Sequence, residues 1–297
     1  MMKKALFIMA FLAILLLAAL LAWTQEAPTS ASREDAIVKT ALDYSDGAYS
    51  GDAARMARAV HPDLNKLVFV RRGPAMGVTA TYSTTSGLVE MTRMAVLKME
   101  PEKRRTDVSV LESTDDVACV RLKTSQWCDY LQMIKDGAEW RIVNVLWAPG
   151  LDAPPARKLH PEFNEEKERP AALAAALDYL EGTLAGDAGR LEQALHPETN
   201  QVVYMVSPLN RAAIMNRTRY SGLLEPAKAK VALAPESGRK VDLRILDLMD
   251  GMAFAAAAMA RGTAYLQLQL LDGAWKVINV LIRPSENTLR AGPPAKK

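Results

Sequence analysis

Asp129-Tyr130-Leu131-Gln132-Met133-Ile134-Lys135-Asp136-Gly137-Ala138-Glu139-Trp140-Arg141-Ile142-Val143-Asn144-Val145-Leu146-Trp147 decides the fold, because the chain carries this stretch twice. Its second occurrence, Ala264 to Ile282, reads AYLQLQLLDGAWKVINVLI. In both, an alternating apolar run meets an Asp-Gly turn. A second run follows with Trp, Asn and Leu at every other position, the pattern of a β-hairpin. In the last strand Trp140, Ile142 and Leu146 alternate with Val143, Val145 and Trp147, so both faces are apolar. One face is expected to cover the helices of its own unit. The other needs a second cover, since wide apolar faces are uncommon on soluble proteins. The sheet of the sister copy would supply it, giving an intrachain pseudo-dimer.

The repetition extends upstream at one constant offset of 135 residues, as from Asp43 to Asp178. Ala41-Leu42-Asp43-Tyr44 returns as Ala176-Leu177-Asp178-Tyr179, Gly51-Asp52 as Gly186-Asp187, His61-Pro62 as His196-Pro197 and Ser86-Gly87-Leu88 as Ser221-Gly222-Leu223. Only the Asp-Gly turn slips, by one residue. An offset held over a whole unit signals duplication of a complete domain, not a short solenoid repeat. The expected organisation is 1–32 as signal peptide or anchor with linker, 33–149 as the first domain, 150–170 as an exposed linker, 171–284 as the second domain and 285–297 as a loose tail.

Within each unit the first element reads as a helix. Leu173, Leu177, Leu180 and Leu184 recur at helical spacing beside Ala172, Ala176 and Tyr179, and Val38, Leu42 and Tyr49 are assigned the same face. Gly47 and Gly182 interrupt these helices at matching places, which suggests a close backbone approach. Asp52 and Asp187 are placed to cap a short second helix that ends before His-Pro. Strands are expected at Lys66 to Arg71 and Gln201 to Val206. After an irregular stretch comes a helix capped by Ser86 or Ser221, shorter or kinked in the second copy by Pro226. Asp107 to Glu112, Val117 to Thr124, Cys128 to Lys135 and Trp140 to Trp147 complete an α+β unit.

Length and composition allow two ordinary cores: 297 residues, 49% hydrophobic and 24% charged. The net charge of +3 and the short clusters Arg71-Arg72 and Lys103-Arg104-Arg105, without interleaved aromatics, disfavour nucleic acid as a partner. Lys3 and Lys4 precede an apolar run from Ala5 to Trp23, which reads as an export signal, either cleaved or kept as a membrane anchor. The remainder is then expected outside the cytoplasm, on the periplasmic or extracellular side. Cys119 and Cys128 could bridge if a hairpin tip lies at Lys123-Thr124 and miss each other if it lies nearer Gln126-Trp127.

The run Tyr-x-x-Gly-x-x-x-Gly-Asp (Tyr44 to Asp52; Tyr179 to Asp187), then a short helix and His-Pro, then the terminal hairpin, resembles the NTF2-like superfamily. More narrowly it is similar to the branch labelled putative lumazine-binding or SnoaL-like, over nearly all of both units. The resemblance implies cone-shaped α+β barrels in tandem, each with a pocket between curved sheet and helices. Such a family includes isomerases, dehydratases, ligand binders and scaffolds. The second copy departs from the first at Ala264 for Asp129 and Leu271 for Asp136.

An isomerase or dehydratase would need an acid or His as base and a donor for the oxyanion. Asp129 and His61 are the catalytic candidates, with Tyr130 and Tyr82 as donors. Asp129 and Tyr130 are strand neighbours and point to opposite faces unless a bulge intervenes. Ligand-contact candidates are Tyr44, Tyr82, Trp127, Tyr130, Asn144, Tyr179, Tyr265 and Asn279. Asn144 and Asn279 are read on the same face as Trp140 and Trp275. The strips Tyr130-Gln132-Ile134 and Tyr265-Gln267-Gln269 would meet a ligand or the sister sheet. His61, His160 and His196 all precede proline in separate segments, so metal binding is not expected, and no cofactor motif is found. The favoured role is non-catalytic binding of a small apolar or aromatic molecule, or an envelope interaction module. A cofactor-free isomerase or dehydratase in the first domain and a structural scaffold are the alternatives.

Overall fold

The Asp-Gly turns take the left-handed backbone that a tight hairpin needs, with φ of 63° at Gly137, 48° at Asp272 and 83° at Gly273. They join β5 (Trp127–Asp136) to β6 (Glu139–Pro149) and β11 (Gly262–Leu271) to β12 (Ala274–Pro284). The structure is a computed structural model, and it describes residues 30–71, 76–150, 152–154, 157–207, 213–231, 234 and 238–285. The apolar run read as signal or anchor, and nearly all of the tail, lie outside the described residues. No described helix is long and apolar enough to cross a membrane.

The first half runs α1 (Ser30–Ser50), α2 (Ala53–Ala59), β1 (Val60–Arg71), β2 (Val78–Ser83), α3 (Thr85–Arg93), β3 (Thr106–Ser113), β4 (Val117–Thr124), β5 and β6. The second repeats it as α4 (Glu165–Ala185), α5 (Ala188–Ala194), β7 (Leu195–Val206), β8 (Ala213–Arg219), α6 (Tyr220–Lys228), β9 (Val241–Met249), β10 (Met252–Met259), β11 and β12. The sheets have strand orders β2-β1-β6-β5-β4-β3 and β8-β7-β12-β11-β10-β9. The first and last strands of each half pair in parallel and all other pairs are antiparallel. This is the α+β tandem expected.

Several elements differ from the sequence reading. The stretch read as irregular contains β2 and β8, edge strands antiparallel to β1 and β7. Strands β1 and β7 begin at Val60 and Leu195, so His-Pro lies inside a bulged strand, not at a helix end. Thr84, not Ser86, caps α3 by accepting from Gly87 N, and Arg219 opens α6 without a side-chain cap. Pro226 does not shorten α6, which has nine residues like α3. Helix α4 starts at Glu165 with Asn164 as cap, so the end of the 150–170 segment is helical.

The helix face also differs. The buried stripe of α4 is Ala172, Ala176, Tyr179 and Leu180, while Leu173, Leu177 and Leu184 are half-exposed. In α1, Ile37, Ala41, Tyr44, Ala48 and Tyr49 are buried and Val38 is not. Glycine is needed where α2 and α5 cross the first helix of their half closely. A Cβ at Gly47 would stand 3.0 Å from the Met56 backbone nitrogen. Asp52 and Asp187 cap α2 and α5 through the amides of Arg55 and Arg190.

A β-bulge governs the last strand. Gln132 pairs with Asn144 and Met133 with Ile142, leaving Val143 as the extra residue; Ile278 holds the same position between Asn279 and Val277. The bulge reverses the parity of everything after it. Trp140, Ile142 and Val145 therefore face the helices, whereas Val143 and Leu146 join the cluster on the opposite face. The simple alternation expected of this strand, and the shared face of Asn144 with Trp140, are both corrected by this one residue.

The opposite face is covered. Leu67, Phe69, Cys119, Tyr130, Val143 and Leu146 of the first sheet form one buried cluster with Val202, Tyr204, Phe254, Tyr265, Ile278 and Leu281 of the second. Each fully buried side chain of this size contributes roughly 1.5–3 kcal/mol relative to exposure. The two cysteines are free and buried. Register explains why: Lys123 pairs with Cys128 and Cys119 with Gln132, so the tip falls at Ser125-Gln126 and the thiols do not face each other.

Candidate functional site

The first half encloses a cavity of about 200 Å³ between helices and sheet. Its walls are mainly apolar, with Ala48, Met56, Val68, Leu88, Leu97, Trp127 and Trp147 among them, and its polar groups include Tyr44 and Lys66. Tyr44 comes from the buried stripe of α1, Lys66 from β1 just past its bulge, and Trp127 from the start of β5. Asp129, two residues on in β5, lies behind them with no exposed surface.

These three polar side chains form a closed triangle. Lys66 Nζ donates to Tyr44 Oη at 2.6 Å and to the Asp129 carboxylate oxygens at 3.2 and 3.3 Å. Tyr44 Oη donates to Asp129 Oδ2 at 3.0 Å. The ammonium also lies 5.3 Å from the centre of the Tyr44 ring. An ammonium has three N–H bonds. Counting the nearly equal carboxylate contacts as one forked bond, Tyr44 and Asp129 take two and leave one for the cavity. The Trp127 indole N–H is buried on the Asp129 side without closing a hydrogen bond.

Burial sets the electrostatics. It pushes the Asp129 carboxyl above its ordinary 3.8, with Lys66 and Tyr44 pulling the other way. Burial likewise pushes the Lys66 amine below its ordinary 10.5 against the attraction of Asp129. The Tyr44 hydroxyl is driven well above its ordinary range, first by burial and then by Asp129. Both shifts narrow the gap between the ion pair and the neutral pair.

The second half keeps the cavity and loses the Lys–Asp pair. Its space of about 330 Å³ is lined by Tyr179, Leu180, Thr183, Leu184, Met259, Arg261, Ala264 and Ile282 among others. Gln201 and Ala264 stand where the first half has Lys66 and Asp129. Tyr179, the counterpart of Tyr44, donates to Gln201 Oε1 instead. One base and one acid are absent together, as removal of a buried pair requires.

Of the sequence candidates, the structure brings Tyr44, Trp127 and Asp129 together in the first half and puts Tyr179 in the second cavity. The others lie elsewhere. Tyr130 faces the sheet–sheet interface and donates to Asp247 Oδ2 at 2.7 Å, and Tyr265 donates to Glu112 at 3.4 Å. Asn144 and Asn279 are buried in that same interface, bonded to Asn200 and Asn65. Tyr82 is 45% exposed on β2, donating to Leu64 O with the Arg219 guanidinium over its ring. His61 stays outside the cavity: its Nδ1 accepts from Asp63 N at 3.0 Å, a local structural bond. The residue missed was Lys66, read only as the start of a strand. Its signal was in the repeat, where Lys66 becomes Gln201 in the copy in which Asp129 becomes Ala264. Among the described residues no group of three His, Cys, Asp or Glu could hold a metal ion.

A family model described as "Putative lumazine-binding" matches residues 32–148 and again 167–281. The chain belongs to this family, twice over. No curated protein matches the chain. Similar solved structures include an NTF-2 like protein of unknown function from Silicibacter pomeroyi, 16% identical over 41% of this chain and 100% of that one, with a TM-score of 0.33. An NTF2-like protein of unknown function from Shewanella baltica is 15% identical over 42% and 98%, with a TM-score of 0.34. A protein titled a putative scytalone dehydratase, from Novosphingobium aromaticivorans, is 10% identical over 40% and 85%, with a TM-score of 0.30.

Proposed function

We propose that this lumazine-binding family protein holds a small molecule in its first-half cavity, with the Lys66 amine and the Tyr44 hydroxyl receiving an oxygen of the ligand. The observation that carries this reading is the bonded pair of Lys66 and Tyr44 at the wall of a mainly apolar space of about 200 Å³. Pockets for drug-sized ligands run from about 300 Å³ upward, so the ligand, or the part of it that enters, is small. Apolar walls select a flat or aliphatic body, and Lys66 selects a carbonyl, enolate or carboxylate. The ring of a lumazine, with its carbonyl oxygens, has that chemistry and is the first ligand to test. Binding is favoured over turnover because Asp129 has no exposed surface and is screened from the cavity by Tyr44 and Lys66. A general base must reach the proton that it removes.

The wider setting in this proposal is the envelope. The Lys3-Lys4 and Ala5–Trp23 pattern supports export, with the segment serving as signal or anchor and the two domains acting outside the cytoplasm as a pseudo-dimer. Protease digestion of intact spheroplasts tests this, and protection of the chain would refute it.

Titrating the full chain with lumazine and with small aromatic ketones and carboxylates, read by tryptophan fluorescence, tests the binding. Trp127 and Trp147 line the cavity, so occupancy should change their emission. Lys66→Met should weaken binding about tenfold or more, since a hydrogen bond to a charged group contributes roughly 1.5–3 kcal/mol. Flat titrations across all three classes would reject the reading.

A further inference from the structure

We propose that Lys66 is a carbonyl-capturing amine, which forms an imine with a small ketone or aldehyde seated in the first-half cavity. The proposal rests on that cavity being a binding site and assigns it a covalent step.

Geometry carries the argument. Among the described residues no other lysine is buried, and Lys66 lines the cavity wall. Its partners are the two groups the step needs. Asp129 touches the amine at 3.2 Å to take its proton, and Tyr44 touches both, at 2.6 Å to Lys66 and 3.0 Å to Asp129, to pass protons between them and the bound oxygen. A salt bridge serving only stability needs no cavity in front of it. The second half, where Gln201 and Ala264 replace the pair, shows that the fold closes without these charges.

The step balances. Lys66 gives one proton to Asp129, leaving a neutral amine and a carboxylic acid. The nitrogen lone pair forms a C–N bond to the carbonyl carbon as the C=O π pair moves to oxygen. That oxygen takes a proton through the Tyr44 hydroxyl and the nitrogen loses one, giving a carbinolamine. The C–O bond then breaks with protonation of the hydroxyl, and water leaves as the C=N bond forms. Amine plus carbonyl yields imine plus water, with no oxidant or further reactant. Burial favours it, because each unit by which an amine sits below its ordinary pKa raises its neutral fraction about tenfold.

The test exposes the full chain at neutral pH to 2,4-pentanedione, whose imine rearranges to an enaminone with near-ultraviolet absorbance. The expected result is one adduct per chain, with peptide mass spectrometry placing the diketone minus water on Lys66. Its formation should be about tenfold or more faster than at any surface lysine. Lys66→Met should abolish the absorbance. Tyr44→Phe, which keeps the amine, should slow its appearance and guards against a misfolded lysine variant. Labelling confined to surface lysines, or Lys66 reacting no faster than they do, overturns the proposal. Melting measured with the same diketone separates the two readings: a raised melting temperature without an adduct rejects the amine chemistry but leaves binding intact, whereas neither shift nor adduct counts against both.

Discussion

Asn65 Nδ2 donates to Asn279 Oδ1 at 2.7 Å from one sheet to the other, and Asn200 repeats the bond to Asn144 at 2.9 Å. Each bond heads a relay. Asn279 donates to Gln267 Oε1 at 2.8 Å and Gln267 to Tyr130 O at 2.8 Å; Asn144 donates to Gln132 at 2.7 Å and Gln132 to Tyr265 O at 2.8 Å. The two relays are images of each other at the repeat offset. A polar network inside an apolar interface penalises every register but its own, because a slip leaves buried carboxamides unbonded. Asn279→Ala orphans the donor of Asn65 and the acceptor of Gln267. It is expected to cost about 1–3 kcal/mol per orphaned group in urea unfolding. A loss below about 0.5 kcal/mol would mean that the apolar cluster alone fixes the register.

The buried Lys66–Asp129 pair gives a second prediction, on stability. Removing one member strands the other's charge, which typically costs about 3–5 kcal/mol. Lys66→Gln and Asp129→Ala should each be destabilised on that scale. The double variant carries the second half's own residues, as in the Tyr179–Gln201 arrangement, and should recover most of the loss. A double-mutant cycle in urea decides it, and strictly additive losses would contradict the coupling.

The duplication was legible because copying preserves spacing: Tyr44 and Tyr179, or Trp140 and Trp275, declare the fold with no propensity argument. Faces were less legible. Val143 looks like any strand residue, yet as the bulge it carries Asn144 away from Trp140 and into the interface. The edge strand Val78–Ser83 escaped because its burial does not alternate and it has no strong apolar run. Ile37 and Ala41 are buried on α1 where Val38 is not, a choice between neighbouring stripes that helical periodicity alone does not make. Lys66 was hidden for a different reason. A lysine in a strand reads as an exposed edge, and only its loss together with Asp129 in the second copy marks it as one of a pair.

Thiol chemistry checks the register of β4 and β5. Cys119 is pushed well above the ordinary thiol range, first by burial and then by Glu112, and Cys128 is pushed up to about 11 by burial and then by Asp129. Both thiols should stay protonated and inert toward a maleimide at neutral pH in the folded chain. Both should react once the chain is unfolded in denaturant, with no reductant needed. Fewer than two reactive thiols after unfolding would show a bridge and contradict the Lys123–Cys128 pairing.

The paired histidines set an acid limit on stability. Burial pushes both His61 and His196 below their ordinary 6.5, against the opposing pull of Asp63 on one and Glu198 on the other. Each Nδ1 also accepts a backbone N–H, from Asp63 at 3.0 Å and from Glu198 at 3.1 Å, a bond that an imidazolium cannot make. The folded state therefore binds protons less readily than the unfolded state. The stabilisation from the neutral rings is complete above pH 6.5 and is lost as the pH falls from there through the lower folded values, below which the loss is constant. The urea midpoint should fall between about pH 7 and about pH 5. In the double variant His61→Asn, His196→Asn the amide oxygens keep the acceptor role without titrating, and the curve should flatten in that window. An unchanged slope in the variant would assign the acid sensitivity to the carboxylates instead.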